Sequence, residues 1–416
     1  MPTITIDDQP ITCRAGVSVL QAAIEAGWDV PHYCYHPGLP VVASCRLCLM
    51  EMMTRNPRTG QMDWSPKLIP SCQTPVADGL VVRFDTDRVR QARQRAMEFY
   101  LVNHPLDCPV CDQAGECYLQ DYSLRFGAAT SRMVEPKHVN PKKDIGPRTL
   151  LYSDRCVMCT RCVRFTAQIS GTRELTVVQR GHKAEIDIFP GRPLDNKLQG
   201  NVVDICPVGA LLDKDFLMRQ RVWLLERTSS ICPGCATGCR IRIDHAGGVV
   251  HRVKPRPAPT DAKWWICDEG RFGYHHANDP DRLTTPAIVH DGRQHNVGWD
   301  EAIERIPAMI AEAVASNGDR GVAAVLSPMM ACEEAWLLAA AVRQIAPGAA
   351  LVRGFVPLAD GDEYFPLGVA PDKALFTISR EKCPNRRGVD AVVAAMCVPS
   401  FDFDAFIAHA AVGAFH

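Results

Sequence analysis

"RCVMCTRC", residues 155–162, places Cys156, Cys159 and Cys162 in the spacing C-x2-C-x2-C, which supplies three corners of a four-iron iron–sulfur cluster. In chains built around two such clusters the next cysteine follows three residues later, but position 166 holds Thr166. The fourth ligand must come from elsewhere. "DICPVGA", residues 204–210, offers a Cys-Pro step at Cys206-Pro207, the form in which the last cysteine of one motif crosses over to serve the other cluster. Counting back from Cys206 by the same spacing lands on Val202, Gln199 and Asn196, none of which binds iron. The segment therefore reads as a two-cluster unit with one cluster erased, leaving Cys156, Cys159, Cys162 and Cys206 for the survivor. Zinc does not ask for this pattern.

Three further groups extend the theme. The chain has 19 cysteines, and all but Cys13, Cys332, Cys383 and Cys397 fall between Cys34 and Cys267 in four groups. The four scattered thiols read as buried small apolar residues. Close C-x-x-C spacing in a reducing compartment points to metal or redox chemistry, not to disulfides. Cys34, Cys45, Cys48 and Cys72 have three ligands in one loop, C-x10-C-x2-C, and one from afar. That is the arrangement of plant-type [2Fe–2S] proteins with a longer loop, and structural zinc is its alternative. "HPLDCPVCDQAGEC", residues 104–117, sets His104 four positions before Cys108, Cys111 and Cys117. Zinc accepts three cysteines and a histidine, while a [4Fe–4S] cluster with one imidazole would carry less negative charge and a higher potential. Cys232, Cys235, Cys239 and Cys267, spaced C-x2-C-x3-C-x27-C, suit either metal as well.

Lys and Arg number 46 against 47 Asp and Glu, so the balance gives no general attraction to nucleic acid. The N-terminus "MPTITIDDQP" lacks a basic head and apolar middle, and no run reaches the roughly 18 apolar residues of a membrane span. The expectation is a soluble, cytoplasmic chain of several domains. "TITID" and "PITCRA" read as strands around a turn at Asp8-Gln9, and Ser18 with Gln21 reads as a capping box opening the helix "VLQAAIEAG", which Gly27 closes. A turn at Asp78-Gly79 leads to the strand "LVVRF", and "TDRVRQARQRAMEFYLVNHP" is helical up to His104-Pro105. "ELTVVQRG" and "AEIDIF" read as strands, "VGALLDKDF" as a helix, and a hairpin begins near Trp223 and turns at Gly247-Gly248. Beyond about residue 283, helix and strand patterns alternate in an α/β manner. No dinucleotide-binding fingerprint is present, and no catalytic residue is assigned.

With these residues in view, the chain resembles the large iron–sulfur subunit of the peripheral arm of bacterial NADH-quinone oxidoreductase, respiratory complex I, over roughly residues 1–280. The resemblance implies one [2Fe–2S] cluster on Cys34, Cys45, Cys48 and Cys72. It implies three [4Fe–4S] clusters, on His104, Cys108, Cys111 and Cys117, on Cys156, Cys159, Cys162 and Cys206, and on Cys232, Cys235, Cys239 and Cys267. The implied fold is multidomain α+β: a β-grasp [2Fe–2S] ferredoxin domain (1–85), a helical [4Fe–4S] domain with one histidine and three cysteine ligands (86–145), a bacterial-ferredoxin-like [4Fe–4S] domain (146–222) and a molybdopterin-oxidoreductase-type [4Fe–4S] domain (223–282). A truncated α/β remnant of the same enzymes (283–416) follows. That remnant is expected to hold no molybdopterin, because Glu269 stands where pterin-binding members have lysine and Leu358 stands where the metal-ligating residue would fall. The implied partners are an FMN- and NADH-binding subunit and quinone-side iron–sulfur subunits, with the chain peripheral on the cytoplasmic face of the inner membrane. The iron–sulfur subunit of an NAD-coupled formate dehydrogenase or hydrogenase shares the first three groups, and a zinc-stapled scaffold is the alternative of another class.

Overall fold

The computed structural model describes residues 1–257, 264–397 and 400–411, and the chain divides into two compact units. The first comprises Met1–Thr228, Arg242–Arg271 and Phe365–Phe376, and the second comprises Ser229–Ile241, Phe272–Tyr364 and Thr377–His416.

The first unit begins with the antiparallel pair β1 (Thr3–Ile6) and β2 (Gln9–Thr12), which buries Ile4 and Ile6. Ile6 faces Gln9, so the turn is Asp7-Asp8, one residue earlier than the sequence pattern implied. Both aspartates are left-handed, at φ 48° and 64°, the geometry a two-residue hairpin turn demands. Asp7 also accepts the backbone N–H groups of Phe84 and Asp85, at 2.8 and 3.1 Å, which fixes the turn in place.

Helix α1 (Val19–Glu25) is capped as expected by Ser18, whose hydroxyl accepts from the Gln21 N–H at 3.2 Å. The reciprocal half of the capping box is absent. The Gln21 amide donates to Glu25 at 2.7 Å and accepts from the Tyr35 hydroxyl instead. Gly27 follows at φ 92°. Strands β3 (Leu49–Arg55), β4 (Met62–Trp64), β5 (Ile69–Pro70) and β6 (Val81–Arg83) complete a mixed sheet in the order β2-β1-β6-β3-β4, with β5 on β3. The parallel β1–β6 pair lies at its centre. Val19, Leu20, Ala22 and Ala23 of α1 pack with Ile4, Ile6, Met50 and Val82, and Cys48 and Cys72 belong to the same core.

Helix α2 (Asp87–Leu101) is N-capped by Thr86 and buries Val89, Arg93 and Met97, a stripe at four-residue spacing. It ends before His104-Pro105. The loop beyond leads into α3 (Tyr118–Phe126), for which Cys117 is the N-cap residue. Next come β7 (Lys142–Asp144), β8 (Thr149–Tyr152), α4 (Arg161–Phe165), the antiparallel pair β9 (Leu175–Val178) and β10 (Glu185–Ile188), α5 (Asn201–Ile205) and β11 (Leu211–Asp213). The helix expected over "VGALLDKDF" is not formed. Leu211–Asp213 pairs antiparallel with Thr149–Leu151 in the sheet β11-β8-β7, because Leu211 and Leu212 are both buried by that pairing and a lone helical turn would bury only one face.

Val222–Leu224 is a single 3-10 turn, so no hairpin starts at Trp223; the chain leaves the first unit along β12 (Glu226–Ile231). The hairpin proper is β13 (Arg240–Ala246) with β14 (Val249–Pro255), turning at Gly247 and Gly248 as expected, at φ 56° and 80°. Helix α6 (Asp268–Phe272) begins directly after Cys267.

In the second unit, the hairpin β15 (Ala287–His290) and β16 (Arg293–Asn296) precedes α7 (Trp299–Asn317), β17 (Ala323–Leu326), α8 (Cys332–Ile345), β18 (Ala350–Arg353), α9 (Arg386–Met396) and α10 (Phe403–Ala411). β17, β18 and the strand Ser400–Phe401 run parallel, and Leu326, Ala335, Ala339, Leu351, Val389 and Val393 form the core beneath α8 and α9. This is the expected α/β alternation. Cys13 and Cys383 are buried as expected, but Cys332 and Cys397 are exposed. Cys332 opens α8 and Cys397 closes α9 in a left-handed conformation, and both helix ends face solvent.

Candidate metal centres

The first set gathers on the loop between α1 and β3 and on the segment after β5. Cys34, Cys45, Cys48 and Cys72 are all buried. The Cys34 thiol interacts with those of Cys45 and Cys72, and Cys72 in turn with Cys48, so the four sulfurs are mutual neighbours. Left-handed residues Ala43 and Arg46 curl the loop, and the Tyr33 N–H donates to Cys45 Sγ at 3.4 Å. The Cys45 and Cys72 thiols hold Cys34 well below the ordinary thiol range and the Cys72 thiol brings Cys48 down to about 7, while the same contacts and burial push Cys45 and Cys72 up, so two of the four thiols need metal binding to deprotonate them. Thiolate character is what iron requires of these ligands.

The second set, His104, Cys108, Cys111 and Cys117, lines one cavity of ≈ 440 Å³ between α2, the Cys108 loop and α3. Burial, helped by Arg155, lowers His104 to about 4, so its imidazole is neutral and keeps a free lone pair. Burial raises Cys117 to about 11. Gly209 forms part of the wall, and a Cβ there would stand 2.2 Å from Cys111 Sγ. Cys108 is exposed.

The third set converges from α4, α5 and their approaches, and Cys156, Cys159, Cys162 and Cys206 line a common pocket. Left-handed Met158 and Thr160 bend the loop, and the Met158 N–H donates to Cys156 Sγ at 3.4 Å. Burial pushes all four thiols up, Cys159 to about 11. Such thiols do not ionise alone near neutral pH; metal binding supplies the deprotonation.

The fourth set is divided between the units. Cys232, Cys235 and Cys239 lie in the second, where the Cys232 N–H donates to the Cys239 carbonyl at 2.8 Å and the Gly234 N–H to Cys232 Sγ at 3.4 Å. Cys267 lies in the first, where the Gly270 N–H donates to its sulfur at 3.4 Å. The Asn201 side chain holds Ile266 from both sides, donating to its carbonyl at 2.7 Å and accepting its N–H at 3.1 Å. Among the described residues, no three His, Cys, Asp or Glu side chains converge tightly enough to hold a single metal ion.

Three arginines that sequence spacing did not single out tie the first three sets together. Arg161 donates to the carbonyls of Ile205, at 3.0 Å, and of Tyr35. Arg164 donates to the carbonyls of Cys34 and Cys159, the latter at 3.3 Å. Arg155 pairs with Asp107 at 2.7 Å and reaches the Gly209 carbonyl at 3.4 Å, while the Tyr118 N–H donates to the Pro207 carbonyl at 3.0 Å. Cys34, Cys45, Cys117 and Cys159 share one core with Tyr33, Met97 and Val208, and Cys156 and Cys206 pack against it. The only sequence signal was the interleaving of arginine with cysteine in residues 155–164.

Comparison with known proteins finds iron–sulfur domains over the same stretches of the chain. Family models match residues 1–87 (2Fe-2S iron-sulfur cluster binding domain), 93–132 (NADH-ubiquinone oxidoreductase-G iron-sulfur binding region), 146–212 (NADH-quinone oxidoreductase subunit 3, ferredoxin-like domain) and 225–279 (molybdopterin oxidoreductase Fe4S4 domain). The G subunit of NADH-quinone oxidoreductase from Rickettsia bellii is 42% identical over 306 residues, 74% of this chain and 43% of that protein. The chain is a homologue of the NADH-quinone oxidoreductase G subunit. The mitochondrial NADH-ubiquinone oxidoreductase 78 kDa subunit of Candida albicans is 39% identical over 76% of this chain and 43% of its own length. The chain thus spans less than half the length of these G-subunit relatives. A chain from a crystal structure of an NAD+-reducing [NiFe]-hydrogenase in the H2-reduced state overlays with TM-score 0.43 at 26% identity, covering 53% of this chain and 91% of that one. Iron–sulfur binding of both the 2Fe-2S and 4Fe-4S kinds follows from the matched domains, and the four matched stretches contain all sixteen candidate ligands. Among the described residues no helix is long and apolar enough to cross a membrane.

Proposed function

We propose that the chain is the iron–sulfur electron-transfer part of an NADH-quinone oxidoreductase, with no substrate site of its own, carrying electrons from an NADH- and FMN-binding subunit toward quinone-side iron–sulfur subunits. Cys34, Cys45, Cys48 and Cys72 hold a [2Fe–2S] cluster in a β-grasp domain spanning 1–85. His104 with Cys108, Cys111 and Cys117, then Cys156, Cys159 and Cys162 with Cys206, then Cys232, Cys235 and Cys239 with Cys267, hold three [4Fe–4S] clusters in the domains 86–145, 146–222 and 223–282. Residues 283–416 form a molybdopterin-oxidoreductase-like domain without molybdopterin. The chain sits peripherally on the cytoplasmic face of the inner membrane within its complex.

The observation that carries this reading is the single core shared by ligands of the first three sets. Bound clusters would each take up and release one electron, and the chain's part is to bury the sulfurs, donate N–H groups to them and hold the sets close. Arg161 and Arg164 bond the first set to the third, while Arg155 and Tyr118 bond the third to the second. The third set is therefore bonded to both of the others, Cys45 and Cys117 share the same core, and the second set carries the exposed Cys108. EPR of the dithionite-reduced protein, with iron, sulfide and zinc assays on anaerobic material, tests the assignment. Distinct two-iron and four-iron signals are expected. A colourless protein holding zinc in place of iron and sulfide would overturn it.

A further inference from the structure

We propose that Arg155 is the potential-setting cation of the His104 site, placed there by the loop of a different ligand set and moderated by Asp107. The inference rests on the relay reading above. Arg155 immediately precedes Cys156, yet its guanidinium lines the cavity of His104, Cys108, Cys111 and Cys117 and not the pocket of Cys156. It is 1% exposed. Tyr152 backs it with the ring centroid 4.0 Å from the guanidinium carbon, and the Gly209 carbonyl and Asp107 take its N–H groups. Glu135 and Lys137 also line the cavity but both are exposed, so water screens their opposite charges.

Reduction of a cluster adds one electron and makes or breaks no bond, so the site becomes more negative by one charge. A fixed cation in a dry wall stabilises that reduced form more than the oxidised form and raises the potential. Asp107 opposes the effect, but its side chain is 32% exposed and solvent weakens it, which leaves a net positive field. The neutral imidazole of His104 acts in the same direction. Ligand exchange and the buried arginine together raise the potential of this set.

The test is an EPR-monitored redox titration of the full cluster-loaded chain, following the signal that Cys117→Ser abolishes. Arg155→Gln lowers its midpoint by roughly tenfold in the reduction equilibrium, or about 59 mV for a one-electron couple, and Asp107→Asn raises it by a smaller amount. Arg155→Lys keeps the original value, and the charge-balanced Arg155→Gln/Asp107→Asn pair returns toward it. A residue that merely supports the loop would shift both single variants the same way, and that outcome, or an unmoved midpoint at unchanged iron content, overturns the proposal. Should Arg155→Gln fail to retain the cluster, Asp107→Asn and Arg155→Lys still decide. Absence of any cluster signal in the unaltered chain removes the relay reading itself, whereas signals with unmoved potentials remove only the role of Arg155.

Discussion

Replacing Gly209 by alanine should delete one cluster and leave the rest. A Cβ at this position would sit 2.2 Å from Cys111 Sγ, whereas ordinary contact begins at 3.4 Å, so the sulfur must retreat by about 1.2 Å. Metal–ligand distances tolerate only about 0.2 Å, so the required displacement exceeds the tolerance roughly sixfold. Gly209 is itself held, since its carbonyl accepts from Arg155 and the neighbouring Tyr152 N–H donates to Ala210 O at 2.7 Å, so the backbone has little freedom to yield. The overpacking should cost about 1–3 kcal/mol, within the 5–15 kcal/mol stability of an ordinary domain, so the chain still folds. Iron should fall by about four atoms per chain from the roughly fourteen that one two-iron and three four-iron clusters contain. Gly361→Ala, which meets nothing within 4 Å, is the control and should lose none. Iron and sulfide analysis with EPR of the reduced protein reads the result. Full iron content in Gly209→Ala, or loss spread evenly over all signals, would refute the argument that Cys111 is a ligand pressed against this glycine.

Asn201→Ala removes both bonds that hold Ile266 beside Cys267, and a loss of about 1–3 kcal/mol in stability is expected by thermal melting; an unchanged melting point would show the bridge to be idle. Cys72→Ser should abolish the two-iron EPR signal while Cys13→Ser, a buried thiol outside the sulfur group, leaves it; equal losses would contradict the assignment. His36, stacked on Trp265 with ring centroids 5.2 Å apart, is lowered to about 3 by burial and then by Arg161 and Arg164. Its folded form stays neutral where the unfolded chain takes up a proton, so stability should fall with pH below about 6.5 by up to roughly 1.4 kcal/mol per unit until pH nears the folded value. Urea midpoints of His36→Phe should show a shallower slope in that window, and an identical slope would discount the histidine.

The cysteine groups, which the matched iron–sulfur domains cover, were legible because each is mostly a short-range pattern. C-x2-C-x2-C with a detached Cys-Pro is recognisable within a few residues, and in the fold its four cysteines line one pocket. The helices α1 and α2 and the turn at Gly247-Gly248 were legible for the same reason, since caps, periodicity and turn residues are local. Where a segment's fate hung on a distant partner, the sequence misled: "VGALLDKDF" has helical spacing, yet pairing with Thr149–Leu151 made a strand of its centre. Cys332 and Cys397 likewise look like core residues until the helix ends that carry them are seen to face solvent. Motif spacing by itself thus marked out which cysteines and which histidine stand together as candidate ligands. Only the tertiary structure decided which sets touch, because the bonds that join them span 48 residues from Arg155 to Asp107 and 130 from Arg164 to Cys34, and no local pattern encodes a contact made at that separation.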